Sequence, residues 1–329
     1  MKIKVSEANK ISQKFLEKLG LSQEESALIT ENVIDAELAG RKTHGFVRLI
    51  SFKKQSDEKR LNVDELKLDI TDESPVHIRI DGHGKLGYGV IYKSLDLAFE
   101  KIMTSRMVSV GIKDLGVTGY IGGYARKATE KDLIFIGFNN SPGGLVPYGS
   151  KKELWGTNPM TIGIPTDGMP VILDMASTLT TWGELMVAKN EGREIKPGVA
   201  IDAEGKPTTD PVRAMSGGLL PFAGYKGSGL GLIVELLAGA LTGARVGYAV
   251  PGGWGSFYIL IDPALFRPIA DFKKDIKAAI TELKNAPKMD GVDEIYFPGE
   301  QSHKLRQEQL SEEMVEISDK IFEQVRNQL

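Results

Sequence analysis

Hydrophobic residues recur at helical spacing near both ends of the chain. Toward the N terminus, Ile11, Phe15 and Leu19 are four residues apart, and a second helix opens with a capping-box pattern from Ser22 to Glu25. Gly20 and Gly40 stand where helix-terminating glycines belong. Two amphipathic stretches toward the C terminus show similar spacing. The first contains Phe272, Ile276, Ile280 and Leu283, and the second contains Met314, Ile317, Ile321 and Val325. The pattern predicts helical segments at both ends.

The periodicity changes after residue 75. Residues 76–80 alternate between apolar and polar like a half-buried strand, and a turn at 81–84 follows. Apolar residues at Ile91, Leu95 and Phe99 then predict a helix, and residues 108–112 predict a short strand.

Continuous apolar runs mark the middle of the chain. Residues 133–138, 160–164 and 171–175 fit strands buried on both faces, although short helices can show the same pattern. Residues 257–261 predict another strand, and residues 228–241 fit a buried helix. We therefore predict an α/β fold with a largely buried mixed sheet in a central domain, residues 115–285. More helical segments, residues 1–114 and 286–329, flank this domain.

Composition narrows the class of protein. The 329 residues carry 41 basic against 44 acidic side chains, so there is no basic excess to neutralise the phosphates of a nucleic acid. The chain has no cysteine, which excludes disulfides and a cysteine nucleophile. No signal peptide is visible, and nowhere do about 18 apolar residues run together. We expect a cytoplasmic protein without membrane or nucleic-acid partners.

Glycine is the most over-represented residue, with 37 copies, and one cluster matches a dinucleotide-binding fingerprint. Gly82, Gly84 and Gly87 form G-x-G-x-x-G between a predicted strand and a predicted helix. The acidic residue at the end of the next strand, Asp114, is 27 positions beyond Gly87, whereas the fingerprint expects roughly 20. The cluster fits a Rossmann site or a plain strand-turn-helix connection.

The segment from Gly40 to Arg48 places one imidazole, His44, beside a hydroxyl and several cations. A histidine can exchange a proton near neutral pH, and Arg48 could hold a carboxylate through two parallel hydrogen bonds. These residues indicate a site for a small carboxylate substrate, or else a solvated helix end with an incidental histidine. The four histidines show no spacing typical of a metal site.

Four segments rich in glycine, amide or hydroxyl residues lie beside predicted strands or the predicted buried helix. Residues 139–149 follow a predicted strand and lie ahead of residues 156–159, and residues 174–178 follow another strand, where ligands bind in open α/β sheets. Residues 224–229 precede the predicted helix, and Lys226 adds a charge to its positive end, which favours an anion. Ordinary turns would explain the loops equally well. Glu235, within that helix, needs a partner if it is buried.

Six short segments in this order resemble one family, the malate and L-lactate dehydrogenases that are unrelated to Rossmann enzymes. The segments are Thr43-His44-Gly45-x-x-Arg48, 141–149, 156–159, 173–176, 224–229 and 297–300. The family includes ureidoglycolate dehydrogenase, 2,3-diketogulonate reductase, sulfolactate dehydrogenase and piperideine-2-carboxylate reductase.

The resemblance implies an NAD(P)-dependent enzyme, usually a homodimer, with its own non-Rossmann cofactor fold at 115–285 and a substrate and dimerisation domain at 1–114 with 286–329. It implies hydride transfer between nicotinamide and C2 of a small 2-oxo or 2-hydroxy acid, and no metal. It assigns catalysis to Thr43, His44, Arg48 and Asp174, and the substrate contacts to Arg48 and Asn158. The cofactor contacts are Ser141, Asp174, Met175, Ala176, Ser177, Thr178, Tyr225, Lys226, Gly299, Glu300 and Gln301. Gly82 to Gly87 becomes a structural turn.

Two positions depart from the family pattern. Thr43 replaces a serine and keeps the hydroxyl, and Val117 stands where many members carry a second histidine. A valine cannot exchange a proton. Reduction of a cyclic imino acid, which needs less acid catalysis, and a silent nucleotide-binding homologue are therefore alternative hypotheses. Neither the substrate nor the choice between NAD and NADP follows from the sequence.

Overall fold

The N-terminal helices begin and end where the capping residues stand. A computed structural model describes residues 1–250 and 252–329 of the protein. Helix α1 covers Val5–Lys18 and α2 covers Gln23–Leu38. Ser22 caps α2 by accepting a hydrogen bond from the backbone N–H of Glu25, as predicted, and the left-handed φ angles of Gly20 and Gly40 end the helices.

The remaining elements alternate between helices and strands. The other helices are α3 Val47–Asp57, α4 Gly87–Ser105, α5 Ile121–Thr129, α6 Trp182–Glu191, α7 Pro211–Gly217, α8 Tyr225–Val234, α9 Ile269–Asn285, α10 Glu300–Ser311 and α11 Asp319–Arg326. The strands are β1 Lys2–Lys4, β2 Asp69–Ser74, β3 His77–Asp81, β4 Met107–Leu115, β5 Ile134–Asn139, β6 Met160–Ile164, β7 Val171–Met175, β8 Ala200–Ile201, β9 Gly218–Leu219, β10 Trp254–Ile261 and β11 Met314–Glu316. Shorter turns are the 3-10 segments Lys42–His44 and Pro263–Leu265 and the π-helical segment Glu235–Ala240.

Seven strands form one mixed sheet in the order β2-β3-β4-β10-β5-β6-β7. The β3–β4 pair is parallel, with Ile80 opposite Ile112, and the other neighbours are antiparallel. This arrangement confirms the predicted mixed α/β fold and its non-Rossmann character. The sheet takes strands from both sides of residue 114, and the division into two domains stays a prediction.

Strands β5, β6 and β7 are not buried on both faces, so that part of the prediction was wrong. Burial alternates along β5 and β6, and every residue of β7 is intermediate. Helices α4 and α5 cover the buried face. The π-helical segment covers part of the other face so closely that a Cβ at Gly255 would overlap the Ala238 carbonyl.

Besides a three-residue cluster of Ala36, Ala39 and Tyr120, the described residues form two hydrophobic clusters outside the main sheet. The first joins α1, α2 and α3 to β11 and α11, and it includes Phe46, Phe52 and Tyr88. The second is smaller and joins α6 and α7 to β8 and β9 through Leu185, Ala214 and their neighbours.

Three elements differ from the predictions. Residues 314–316 form β11, which pairs with β1 through Ile3 and Val315 instead of extending the last helix. The polar residues 69–74 form the edge strand β2, whose side chains are almost all exposed. The helix at 228–241 becomes π-helical after Val234, and Leu232, Ile233 and Leu236 are exposed rather than buried.

The turn at Gly82 to Gly87 is bonded to the end of β4. The N–H groups of Gly82 and Gly84 donate to the carbonyls of Lys113 and Asp114, and Lys85 O accepts from Gly116. These bonds occupy backbone groups that a Rossmann loop would offer to a pyrophosphate. Within the described residues, no helix is both long and apolar enough to cross a membrane.

A buried ion pair joins this turn to α2. The Lys85 ammonium is 4% exposed and donates to a carboxylate oxygen of Glu25 at 2.8 Å and to the carbonyls of Asn62 and Asp64. The Glu25 side chain is fully buried, and burial raises its pKa. The capping-box pattern predicted that the Glu25 carboxylate would accept a hydrogen bond from the Ser22 backbone N–H. In the structure it binds Lys85 instead.

Candidate active site

The turn that carries His44 is held by a buried carboxylate. Glu37 lies near the end of α2 and accepts a hydrogen bond from the Phe46 N–H at 2.7 Å. It also forms an ion pair with Lys42, whose Nζ lies 3.3 Å from the other carboxylate oxygen. Gly45 lies directly on this side chain, where a Cβ would overlap it. Burial raises the pKa of Glu37. The carboxylate thus fixes the chain between α2 and α3.

His44 is half-buried and has one side-chain partner. Its Nδ1 lies 3.0 Å from Thr43 Oγ1, and Nε2 makes no hydrogen bond within the described residues. Burial, followed by the positive charges of Arg48 and Arg41, lowers the pKa of His44 to about 3. The imidazole is therefore neutral near pH 7, and Nε2 is the nitrogen available to a ligand.

Arg48 lies on the first turn of α3 and has no ion-pair partner in the part of the chain that is described. Its guanidinium is half-buried, and its Nε is closed to solvent without a hydrogen-bond partner. A buried N–H without an acceptor is costly, so the site favours an anionic ligand.

Helix α6 closes one side of this turn. A Cβ at Gly183 would lie 2.8 Å from Thr43 Cβ, so the start of α6 touches the residue beside His44. Trp182, the first residue of that helix, is partly exposed. The contact connects the small cluster of α6 and α7 to the histidine turn.

A second group of predicted residues meets where the loop between β5 and β6 contacts the segment after β7. Ser141 N–H donates to Asn158 Oδ1 at 3.3 Å, and Ser177 Oγ donates to the Asn158 carbonyl at 2.7 Å. The Ser177 carbonyl accepts from Phe222 N–H, just before α8. The structure thus brings together loops that are far apart in the sequence.

Asn158 and Glu235 form the buried centre of these loops. Asn158 is fully buried and donates to Glu235 at 2.7 Å and to the Gly231 carbonyl at 2.9 Å. Glu235 also accepts from Asn140 and from the Gly247 N–H. This network supplies the partners that Glu235 needed and occupies the polar atoms of Asn158.

The start of α8 presents an exposed surface. Tyr225 is 67% exposed, Lys226 is exposed, and both lie on the first turn of the helix. The Tyr148 ring meets the Tyr225 ring edge to face at 6.4 Å, and Tyr148 N–H donates to Ser228 Oγ. The two glycine-rich segments, residues 141–149 and 224–229, are therefore neighbours.

Asp174 ends β7 and has no hydrogen bond to His44. It accepts from Thr161 Oγ1 at 2.7 Å and from the Gly122 N–H at 3.1 Å. The pKa of Asp174 is raised overall, because the effect of burial exceeds the opposing effects of these bonds and of the charge of Arg41. The charge of Arg41 also lowers the pKa of His44. No role was predicted for Arg41 from the sequence, although it lies within the histidine segment.

The turn before α10 lies against β7. The Pro298 carbonyl accepts from Ile172 N–H, and Gly299 shares a small cleft with Asp174, Arg41 and His303. Glu300 is buried; burial would raise its pKa, but hydrogen bonds from Lys284 and Lys304 hold it below the usual value. Gln301 is exposed, as is usual on a helix surface.

The other predicted positions are placed as follows. Met175 and Ala176 are half-buried after β7, and Thr178 is nearly buried, with its hydroxyl donating to the Thr180 carbonyl. Val117 packs against the cluster that contains Phe52 and Tyr88, so that loop offers no titratable side chain there. In the described part of the chain, no three His, Cys, Asp or Glu residues are grouped as metal ligands.

Comparison with known proteins shows similarity over the whole chain. The sequence model of a family described as malate/L-lactate dehydrogenase matches residues 3–326. The L-sulfolactate dehydrogenase of Methanothermobacter thermautotrophicus is 32% identical, covering 99% of this chain and 95% of that protein. The ureidoglycolate dehydrogenase (NAD(+)) of Escherichia coli O157:H7 is 28% identical, covering 98% and 94%.

A solved structure has the same fold. The sulfolactate dehydrogenase of Methanocaldococcus jannaschii superposes with a TM-score of 0.88 at 30% identity, covering all of this chain and 96% of that one.

Proposed function

The chain belongs to the malate/L-lactate dehydrogenase family, and from that premise we propose that it transfers a hydride between a nicotinamide cofactor and C2 of a small 2-hydroxy or 2-oxo carboxylic acid. One observation carries the proposal most directly. A neutral imidazole with a free Nε2 ends the short 3-10 segment just before α3, and the first turn of α3 carries an arginine without an anionic partner among the described residues. These are the two groups that such a substrate requires.

His44 acts as the proton-transfer residue in this proposal. When Nδ1–H donates to Thr43 Oγ1, Nε2 carries the lone pair and can accept the proton of the substrate hydroxyl as the hydride leaves C2. In the reverse direction, the protonated ring donates to the carbonyl oxygen. A bound carboxylate would offset the charge of Arg48 and thereby raise the pKa of His44.

The cofactor lies, in our proposal, along the loops after the strands. Tyr148 and Tyr225 offer exposed rings, and Lys226 at the start of α8 offers a charge for a phosphate. A Cβ at Gly149 or Gly229 would meet open space, which fits a bulky ligand over this surface. We assign Ser141, Ser177, Thr178 and the 174–176 backbone to this cofactor site as well, with Gly299, Glu300 and Gln301 at its other end. The nicotinamide supplies the hydride acceptor or donor when bound.

We test the proposal by steady-state assays with NADH and NADPH. Pyruvate, oxaloacetate, sulfopyruvate and the 2-oxo form of ureidoglycolate represent the 2-oxo acids, and piperideine-2-carboxylate represents the cyclic imines. We expect turnover of at least one 2-oxo acid. Turnover of the imine alone would favour the alternative, a reductase of cyclic imino acids. The apolar Val117 is compatible with that alternative, because a cyclic imine needs less acid catalysis. NADH binding without any turnover would identify a silent homologue.

Arg48→Leu is expected to raise KM for the 2-oxo acid by roughly 10²-fold, because a charge-assisted bidentate contact is lost. The Kd of NADH, measured by fluorescence titration, should stay unchanged. Arg60→Leu is the matched control, since that arginine is 63% exposed and pairs only with Glu58. An unchanged KM for Arg48→Leu would remove Arg48 from the substrate site.

The pH dependence of kcat/KM should reveal the lowered pKa of His44. In the oxidation direction the neutral ring is active, so kcat/KM should stay level as the pH falls from about 8 to about 5, because protonation begins only near a pKa of about 3. A histidine with the ordinary value would lose activity below about pH 6.5. Reduction needs the protonated ring, so its kcat/KM should fall as the pH rises. A break near pH 6.5 in the oxidation profile would contradict this assignment.

We also propose a cytoplasmic homodimer. Leu232, Ile233 and Leu236 form an exposed apolar stripe on α8 and the π-helical segment, next to the proposed cofactor loops. Burial of this stripe by a second copy would place the cofactor site near the subunit boundary. Light scattering after gel filtration distinguishes a dimer from a monomer.

A further inference from the structure

Tyr88 packs against α3, the helix that carries Arg48, and no role was predicted for it from the sequence. It is the second residue of α4, is fully buried, and its ring meets the Phe52 ring edge to face at 5.7 Å. Phe52 follows Arg48 by four residues on α3, so the two side chains share one face of that helix. The tyrosine ring therefore packs on the same helix face from which Arg48 projects.

Two buried polar atoms in this region have no partner among the described residues. They are the Tyr88 hydroxyl oxygen and Arg48 Nε. Two other fully buried tyrosines have partners, since Tyr124 donates to the Thr118 carbonyl and Tyr258 bonds to Ser94. A buried polar atom without a bond is costly, and its persistence commonly marks a functional site.

The two atoms are chemically complementary. Arg48 Nε carries a hydrogen to donate, and the Tyr88 oxygen has lone pairs to accept it. Burial raises the pKa of the Tyr88 hydroxyl to about 12, and the charge of Arg48 acts in the opposite direction, so the group is neutral and lies within the field of the guanidinium. The two atoms form no bond with each other in this structure.

The surroundings leave few other roles for the hydroxyl. Gly119 has a left-handed φ, and a Cβ there would overlap the tyrosine ring, so the 117–120 loop packs tightly on one side. The same loop contributes the apolar Val117. Asn32, the nearby amide, is already bonded to the backbone of Tyr120 at both ends.

We propose that Tyr88 is a positioning residue for Arg48: its hydroxyl accepts the Nε–H when substrate binds and turns both terminal nitrogens toward the substrate carboxylate. The inference rests on the proposed function for the identity of that anion. With Nε held, the two outer N–H groups form a fixed fork that matches a carboxylate in two parallel bonds. Without this hold, the arginine must give up rotational freedom at each binding event.

Tyr88→Phe tests the inference because it removes only the oxygen. We expect KM for the 2-oxo acid to rise about tenfold, with kcat within about twofold and the Kd of NADH unchanged. The Tm of the free protein should not fall, because the hydroxyl has no bond to lose there. Tyr258→Phe, an equally buried tyrosine bonded to Ser94, should lower Tm and leave KM unchanged. A purely structural Tyr88 would behave like Tyr258, which would overturn the inference.

A double-mutant cycle with Arg48→Lys makes the test specific. Lysine retains the charge but has no Nε–H, so Tyr88→Phe should have no further effect on KM in that background. Additive effects would overturn the pairing of Tyr88 with Arg48.

Binding of oxalate, measured by calorimetry, separates this inference from the proposed function. Oxalate offers a carboxylate and cannot be reduced by hydride. If the wild type binds oxalate about tenfold more tightly than Tyr88→Phe but reduces no 2-oxo acid, the positioning role stands and the proposed function fails. If the wild type reduces a 2-oxo acid while Tyr88→Phe changes neither oxalate affinity nor KM, the function stands and the inference fails.

Discussion

His44→Gln is expected to lower kcat by roughly 10²- to 10⁴-fold in both directions, because glutamine cannot exchange the proton between the substrate oxygen and solvent. The amide is similar in size and can still bond to Thr43, so the turn held by Glu37 should keep its conformation. KM and the Kd of NADH should change little, since Arg48 and the cofactor loops are untouched. Stopped-flow measurement of NADH oxidation in a single turnover would report the chemical step directly.

The control for this variant is His77→Gln. His77 lies on β3, partly exposed and bonded to Asp72 and Ser74, far from the motif turn in sequence. Its replacement should leave kcat unchanged. If His44→Gln kept the wild-type single-turnover rate, another group would have to move the proton, and the assignment of His44 would be wrong.

Lys85→Met is expected to lower the free energy of unfolding by about 3–5 kcal/mol, the largest stability effect we expect from a single substitution. The change leaves Glu25 with a buried charge and no cation, and it leaves the carbonyls of Asn62 and Asp64 without their donor. The Glu25 oxygen that already lacks a partner cannot compensate. Urea unfolding at constant pH measures the difference.

Two further variants test the cause of that loss. Lys101→Met removes a lysine that is 24% exposed and pairs with the exposed Glu73, so it should cost less than about 1 kcal/mol. The double variant Lys85→Met with Glu25→Leu should recover much of the stability, because no charge is left buried. A double variant as unstable as Lys85→Met alone would point to lost packing rather than to the carboxylate.

Local patterns were sufficient for most of the secondary structure. Helices α2 and α4 follow from apolar spacing and capping residues, and β4, β5 and β10 follow from apolar runs, because both signals arise from neighbours within a few residues. The patterns failed where an element exists only through a distant partner. The polar β2 is a strand because it pairs with β3, and β11 is a strand because β1 lies beside it.

The candidate site likewise has features that the local sequence indicates and features that depend on distant contacts. Residue type and spacing made the His44–Arg48 segment and the start of α8 candidates, since an acid/base group and a helix N terminus are local features, and the family resemblance then favoured them over ordinary turns. The partners of Glu235 could not be identified, because Asn140 and Asn158 approach it from loops 95 and 77 residues away. The same is true of the pKa of His44, which depends on burial that no spacing describes.

The sequence by itself determined the family, the class of reaction, the mixed α/β fold and the two residues on which the proposed chemistry depends. Only the tertiary structure decided which buried charges are compensated, which face of each strand is covered, and that Tyr88 packs against the helix that carries Arg48. The physical reason is that periodicity and motifs record interactions within a few residues, whereas burial, ion pairing and unsatisfied polar atoms depend on chain segments that meet only after folding.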